Sequence, residues 1–179
     1  MIYVYLAEGF EEIEALATVD FLRRCDLEVV TAGVTSQDVT GAHNITVLAD
    51  TVASMLEMSD DVQAVVLPGG MPGTLNLQKS KYVNEMLDFA NKNEILIAAI
   101  CAAPSILGAK GLLDGKKATC FPGFEQELGD AIFTGASVEI DGNIITSKGA
   151  GCSIDFAKAI AEKLIGEEKP THVKKSIQC

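Results

Sequence analysis

The feature that most limits how this chain can fold is an unbroken apolar run, Ile95-Leu96-Ile97-Ala98-Ala99-Ile100, which ends on Cys101 and is followed by Ala102-Ala103-Pro104-Ser105. A strand wetted on one face alternates polar and apolar residues. A continuous run of strand length needs cover on both faces, as for a parallel strand inside an α/β sandwich. Pro104 suits the first turn of a helix, where its missing N–H would have had no partner anyway. The segment therefore reads as buried strand, sharp turn and helix, with Cys101 at the strand's carboxyl end. There, backbone N–H groups and the positive end of the helix dipole face the sulfur, which favours thiolate over thiol. For an isolated strand cysteine the alternative is a small buried hydrophobe; the junction is what favours a reactive one.

A second run, Ala64-Val65-Val66-Leu67, ends in Pro68-Gly69-Gly70-Met71-Pro72-Gly73. Glycines in such a turn let the backbone approach a neighbour closely. If the two strands are adjacent, the N–H groups of Gly70 and Ala102 converge beside the sulfur as an oxyanion hole, with Gly69 at the pocket's edge. The alternative is an ordinary loop.

Helical and strand patterns alternate elsewhere. Phe10 to Cys25 reads as a helix with Glu11 and Glu12 in its first turn and Arg23 and Arg24 in its last, both suited to the dipole. Leu27 to Val34 is a strand, residues 36–50 a peripheral turn and strand, and Lys81 to Asn93 a helix. Asp141-Gly142 between two alternating segments marks a hairpin. Ser153 to Ile165 carries Ile154, Ala157, Ile160, Ala161 and Leu164 on one stripe. The expected fold is a three-layer, flavodoxin-like α/β sandwich with a mostly parallel sheet, whose sites lie at the strands' carboxyl ends.

With 179 residues, 48% of them hydrophobic, the chain suits one domain spanning 1–179. It enters a strand at once, without a basic leader or a membrane-length apolar run, so a cytoplasmic protein is expected. Acidic residues outnumber basic ones 25 to 14 and no basic stripe is present, which disfavours nucleic acid as a partner. The five cysteines are scattered and odd in number, against a disulfide framework or a zinc site. No dinucleotide or phosphate-loop glycine pattern occurs, and no metal cluster is evident, so no cofactor is expected.

Glu14 is the other candidate for chemistry, because its helical neighbours Phe10, Ala17 and Phe21 are apolar. Burial raises a carboxyl pKa, and a protonated Glu14 could donate to a nearby thiolate. The alternative is a solvated glutamate, the fate expected for Glu11 and Glu12. Of the two histidines, both read as surface residues, with His43 in a loop able to overhang the site.

Four ordered segments, Ala7-Glu8-Gly9-Phe10-Glu11-Glu12-Ile13-Glu14, Val66-Leu67-Pro68-Gly69-Gly70, Ala98 to Pro104 and Thr146-Ser147-Lys148-Gly149-Ala150-Gly151, resemble the ThiJ/PfpI superfamily, in particular the branch of the Parkinson-disease-linked protein deglycase and its bacterial relatives. The resemblance implies that Cys101 is a reactive cysteine on a nucleophile elbow in strained backbone geometry. It implies further that Glu14 is its hydrogen-bonded glutamate, that Gly70 and Ala102 are oxyanion donors, and that Arg24 is a structural or pocket-neighbouring arginine. There are departures. Ala102 stands where peptidase-like members carry histidine, Phe121 corresponds to a pocket histidine, and His43 to a pocket arginine.

The resulting expectation is a cofactor-free cysteine enzyme acting on a small reactive aldehyde such as methylglyoxal or on its glycated adducts, a glyoxalase or deglycase. The alternative is an oxidative-stress sensor using the same thiol. Amide or peptide hydrolysis, which needs a histidine at the sulfur, ranks third. The resemblance also implies a homodimer.

Overall fold

The computed structural model describes residues 1–179. In chain order its elements are β1 (Ile2–Leu6), α1 (Glu12–Arg24), β2 (Val29–Gly33), β3 (Asp38–Thr40), β4 (Thr46–Leu48), β5 (Thr51–Val52), β6 (Ala64–Leu67), α2 (Gly73–Lys79) and α3 (Lys81–Lys92). There follow β7 (Leu96–Ile100), α4 (Pro104–Ala109), β8 (Lys117–Ala118), β9 (Ile132–Phe133), β10 (Val138–Asp141), β11 (Ile144–Ser147), α5 (Ser153–Ile165) and α6 (Glu168–Ser176).

The main sheet has seven strands in the order β10-β11-β7-β6-β1-β2-β5, all parallel except the β10–β11 hairpin. Its inner order β2-β1-β6-β7-β11 is that of a flavodoxin-like doubly wound sheet, with the switch point between β1 and β6. Both faces of the sheet are covered, which explains the continuous apolar runs. Ile2, Val4, Leu6, Val66, Ala98 and Ile100 point into one core with Phe21, Leu22, Phe156 and Ile160 of α1 and α5. Tyr3, Tyr5, Val65, Leu67, Ile97 and Ala99 point into the other, with Val83, Met86 and Leu87 of α3 and Ile106 and Leu107 of α4. Successive residues thus serve opposite cores, and neither position can be polar.

The expected α/β sandwich is present, with the predicted helices over α1, α3 and α5. Two features were not read from the sequence. The glycine-rich turn after β6 runs directly into α2, whose sequence Gly-Thr-Leu-Asn-Leu-Gln-Lys lacks a clear apolar stripe. The Asp141-Gly142 hairpin is not peripheral, because β11 also pairs in parallel with β7, Ser147 lying opposite Ile100. That pairing brings the segment after β11 alongside Cys101.

Candidate active site

Three chain segments meet at the carboxyl edge of the sheet: the β1–α1 turn, the β6–α2 turn and the β7–α4 elbow. Adjacency of β6 and β7, with Leu67 opposite Ala99, is what joins the last two. Cys101 adopts φ +65°, a left-handed conformation that costs a non-glycine residue about 1–3 kcal/mol and persists only where the surroundings enforce it. Here they do: its N–H donates to the Ser147 carbonyl at 2.9 Å and its carbonyl accepts the Phe121 N–H at 2.8 Å. Pro104 follows at the first position of α4, as its chemistry requires. The backbone N–H groups of Ala102 and Gly70 lie near enough to the Cys101 thiol to favour its thiolate form.

Glu14 reaches the same sulfur from α1 and is only 1% exposed. Its Oε2 accepts the Gly69 N–H at 2.8 Å, while Oε1 is buried without a hydrogen-bond partner; the carboxyl lies beside the Cys101 thiol, with which it interacts. Gly69 cannot be larger: a Cβ there would lie 2.7 Å from the Cys101 Cβ and 2.8 Å from Glu14 Oε2. Burial pushes the Glu14 carboxyl up to about 7, opposed by its hydrogen bonds to Cys101 and Gly69 and aided by the charge of Glu11.

The thiol departs from expectation. Burial, then the Glu14 charge and the hydrogen bond to it, raise Cys101 to about 12 against the pull of the Ala102 and Gly70 N–H groups. Two N–H dipoles do not outweigh a buried site beside a carboxylate. Two of the three raising causes vanish when Glu14 is protonated, and the same hydrogen bond then runs from carboxyl to sulfur. Cys101 and Glu14 therefore titrate as a pair holding one proton.

The first turn of α1 corrects the expectation of solvated glutamates. Glu11 caps the helix, its Oε2 accepting the Glu14 N–H at 2.7 Å. Glu12 is 5% exposed, and its carboxylate takes the His43 N–H at 2.7 Å, the Ile45 N–H at 3.5 Å and His43 Nδ1 at 2.7 Å. These donors depress the Glu12 pKa although desolvation opposes them, and Glu12 in turn raises that of His43. Ligand atoms of Glu11, Glu12 and His43 gather within 4.8 Å, a grouping not foreseen from their separation in sequence. With Glu12 already accepting three times and Nδ1 committed to it, the group is a hydrogen-bonded strap and not an open set of metal ligands.

Of the remaining predicted residues, Phe121 borders Cys101 through its amide and lines a cavity of about 360 Å³ with Pro122, Lys148, Gly149, Ala150, Gly151 and Cys152. Arg24 is not a pocket residue. It occupies the opposite end of α1, about 15 Å along the helix from Glu14, and pairs with Asp20 at the surface. His43 belongs to the Glu12 strap, and His172 lies on α6 beside Ile165 and Lys169. Sequence reasoning missed Glu12 and Ser147. A helical pattern cannot reveal Glu12's loop partners, and only the pairing of β11 with β7 makes Ser147 a neighbour of Cys101.

The DJ-1/PfpI family profile matches residues 1–163. The chain is 39% identical over 176 residues to Protein DJ-1 homolog B of Arabidopsis thaliana, covering 96% of this chain but only 40% of that protein's length. It is 33% identical over 172 residues to the glutathione-independent glyoxalase DJR-1.2 of Caenorhabditis elegans, covering 95% of this chain and 91% of that one. The oxidised structure of Toxoplasma gondii DJ-1 superposes with a TM-score of 0.94 at 32% identity, over 98% of this chain and 96% of that chain. Profile, relatives and fold agree over nearly the whole length, and the chain belongs to the DJ-1/PfpI family.

Proposed function

We propose that this protein is a cofactor-free enzyme that converts a small reactive aldehyde, with methylglyoxal as the test substrate, using Cys101 as nucleophile and Glu14 as the proton-transfer group. The observation that carries the reading is the buried Glu14 carboxyl, held by the Gly69 N–H beside Cys101 on its strained elbow, with the Ala102 and Gly70 N–H groups favouring the thiolate. Likeness to a glutathione-independent glyoxalase supports the substrate class. A cavity lined by Phe121, Pro122 and residues 148–152 adjoins the elbow through Phe121, whose N–H donates to the Cys101 carbonyl, and supports room for a short carbon chain near the site.

In this scheme Cys101 Sγ adds to the aldehyde carbon, forming a C–S bond, and the carbonyl electron pair moves onto oxygen, where the Gly70 and Ala102 N–H groups stabilise it. Glu14, having passed the thiol proton to that oxygen, takes the hydrogen from the same carbon as a proton and returns it to the neighbouring ketone carbon, while the hydroxyl proton moves to the ketone oxygen, leaving a lactoyl thioester. Water attacks the thioester, the C–S bond breaks, and lactate and thiol are regenerated. Oxidation of one carbon balances reduction of the next, so no external redox partner is consumed. A carboxyl poised at about 7 can both accept and return the proton near neutrality. Release of a glycated amine or thiol would use the same nucleophile.

A second reading is favoured by likeness to a structure of an oxidised relative: Cys101 as a peroxide-oxidised sensor, its sulfinate hydrogen-bonded by Glu14. A Cys–His hydrolase has no support within this chain, since His43 is bound to Glu12 and His172 lies on α6. We also take the protein to be a cytoplasmic homodimer. Exposed Ile13 and Leu16 on α1 and Ile45 and Leu48 around β4 support the dimer, and no helix is long and apolar enough to cross a membrane. Lactate formation from methylglyoxal by the wild type, lost on Cys101→Ala, supports the enzyme. Site-specific oxidation of Cys101 by mild peroxide without any turnover would replace it with the sensor. Light scattering tests the dimer.

A further inference from the structure

Glu12 spends a buried carboxylate on a loop that touches neither Cys101 nor Glu14. All three of its donors, His43 N–H, Ile45 N–H and His43 Nδ1, come from the turn between β3 and β4. The fit is close, because a Cβ on Gly41 would lie 2.4 Å from Glu12 Oε1. The same stretch grips the β1–α1 turn on its other side: Gly9 N–H donates to the Thr40 carbonyl and Ala42 N–H to the Phe10 carbonyl, both at 2.8 Å. That turn in turn holds the sulfur's donors. Glu11 N–H donates to the Gly69 carbonyl at 2.9 Å and Gly73 N–H to the Gly9 carbonyl at 3.1 Å. Gly70 is packed so tightly on it that a Cβ would meet Glu11 N at 2.4 Å and Gly9 O at 2.5 Å.

We propose that Glu12 is a positioning residue for the Cys101 centre: its carboxylate straps the 40–45 loop onto the first turn of α1 and, through the Gly9–Phe10 turn, fixes Glu14 with its Gly69 donor, and the Gly70 N–H, around the sulfur. The inference rests on Cys101 and Glu14 being the reacting pair but not on any substrate. The charged groups involved are few. Glu14 faces Cys101, Glu11 acts on Glu14, and Glu12 and His43 face one another with Glu11 4.0 Å from His43 Nδ1. If the strap is cut, Gly70 N–H loosens from the sulfur and Glu14 gains water and charge. Both changes make the thiolate harder to form.

The test is the pH profile of Cys101 alkylation by iodoacetamide, followed on the Cys101 peptide by mass spectrometry with no aldehyde present. Glu12→Ala is expected to displace the profile upward by about one pH unit, read as an alkylation rate about tenfold lower than the wild type's at each pH across the neutral range. Glu12→Gln is expected to restore the wild-type profile, because its amide oxygen still accepts from His43 and Ile45 and its NH₂ can donate to His43 Nδ1. A folded Glu12→Ala protein whose profile superimposes on the wild type overturns the proposal, as does Glu12→Gln behaving like Glu12→Ala. Should Glu12→Ala fail to fold, His43→Ala is the second variant, as its ring is 68% exposed and leaves no cavity. A smaller rise in the same direction supports the strap, and an unchanged profile refutes it. Failure of methylglyoxal turnover in the wild type leaves this result intact.

Discussion

Two sides of the first turn of α1 handle a buried carboxylate in opposite ways. On the side facing the sheet edge, Glu14 has one N–H donor and a thiol, and burial drives its pKa up to about 7. On the side facing the 40–45 loop, Glu12 is also covered and desolvation pushes its pKa up, but its donors outweigh that and the pKa falls. The residues are two positions apart on one helix, so the dipole acts on both. The supply of donors therefore decides which carboxylate stays charged and which can carry a proton at neutral pH. One side of the turn holds a protonatable carboxyl beside the Cys101 thiol, and the other anchors a loop.

The largest expected effect lies on the chemical side. Cys101→Ala should reduce lactate formation from methylglyoxal to the uncatalysed background and abolish alkylation of that peptide, while circular dichroism stays native. Residual turnover near the wild-type rate would move the nucleophile elsewhere. Glu14→Gln keeps an acceptor for Gly69 N–H but removes the mobile proton, and a loss of about 10²–10⁴-fold in kcat is expected from loss of general acid–base catalysis.

Stability against pH sharpens the contrast. Glu14 has a folded pKa near 7 against 4.5 for an ordinary glutamate. Between these values the unfolded chain has lost the proton and the folded chain has kept it, so the Glu14 contribution to stability falls as pH rises through that window, by on the order of 3 kcal/mol. Glu14→Gln should flatten this limb in chemical denaturation. Glu12 has the reverse sign: its depressed pKa gives stability that is present above the ordinary carboxylate range and lost as pH falls through the folded value. Glu12→Gln should remove that acid limb, and matching slopes for the two variants would erase the distinction between the sides. The smallest effect belongs to the far end of the same helix, where Arg24→Ala removes a surface pair with Asp20. Denaturant midpoints should hardly move, because an exposed ion pair is offset by side-chain entropy and solvent screening, and kcat/KM should be unchanged.

Much of this architecture was readable before any coordinates. The runs 64–67 and 95–100 called for strands covered on both sides, and each proves to feed two cores in alternation. Cys101 at a strand–turn–helix junction predicted an elbow, and φ +65° is found there. Phe10, Ala17 and Phe21 around Glu14 predicted burial, and Glu14 is buried. The errors have a common origin. The resemblance implies that Arg24 is a structural or pocket-neighbouring arginine, and helix length excludes the second by carrying it to the other end of α1, where it pairs with Asp20. The thiol was expected to be acidified by N–H dipoles, a judgement that omitted the desolvation and the neighbouring carboxylate which outweigh them.

By itself the sequence determined which segments must be buried, where the chain must turn sharply, and which two side chains, Cys101 and Glu14, stood as candidates for chemistry. Local periodicity and turn stereochemistry suffice for that, since both act within a few residues. Tertiary structure alone decided which groups meet across long separations: Glu12 with His43, Gly69 N–H with Glu14, and Ser147 with Cys101. Those meetings fix the number of donors and the depth of burial at each carboxyl, and protonation follows from that count and depth because charge in a protein interior is set by solvation and hydrogen bonding more than by residue type.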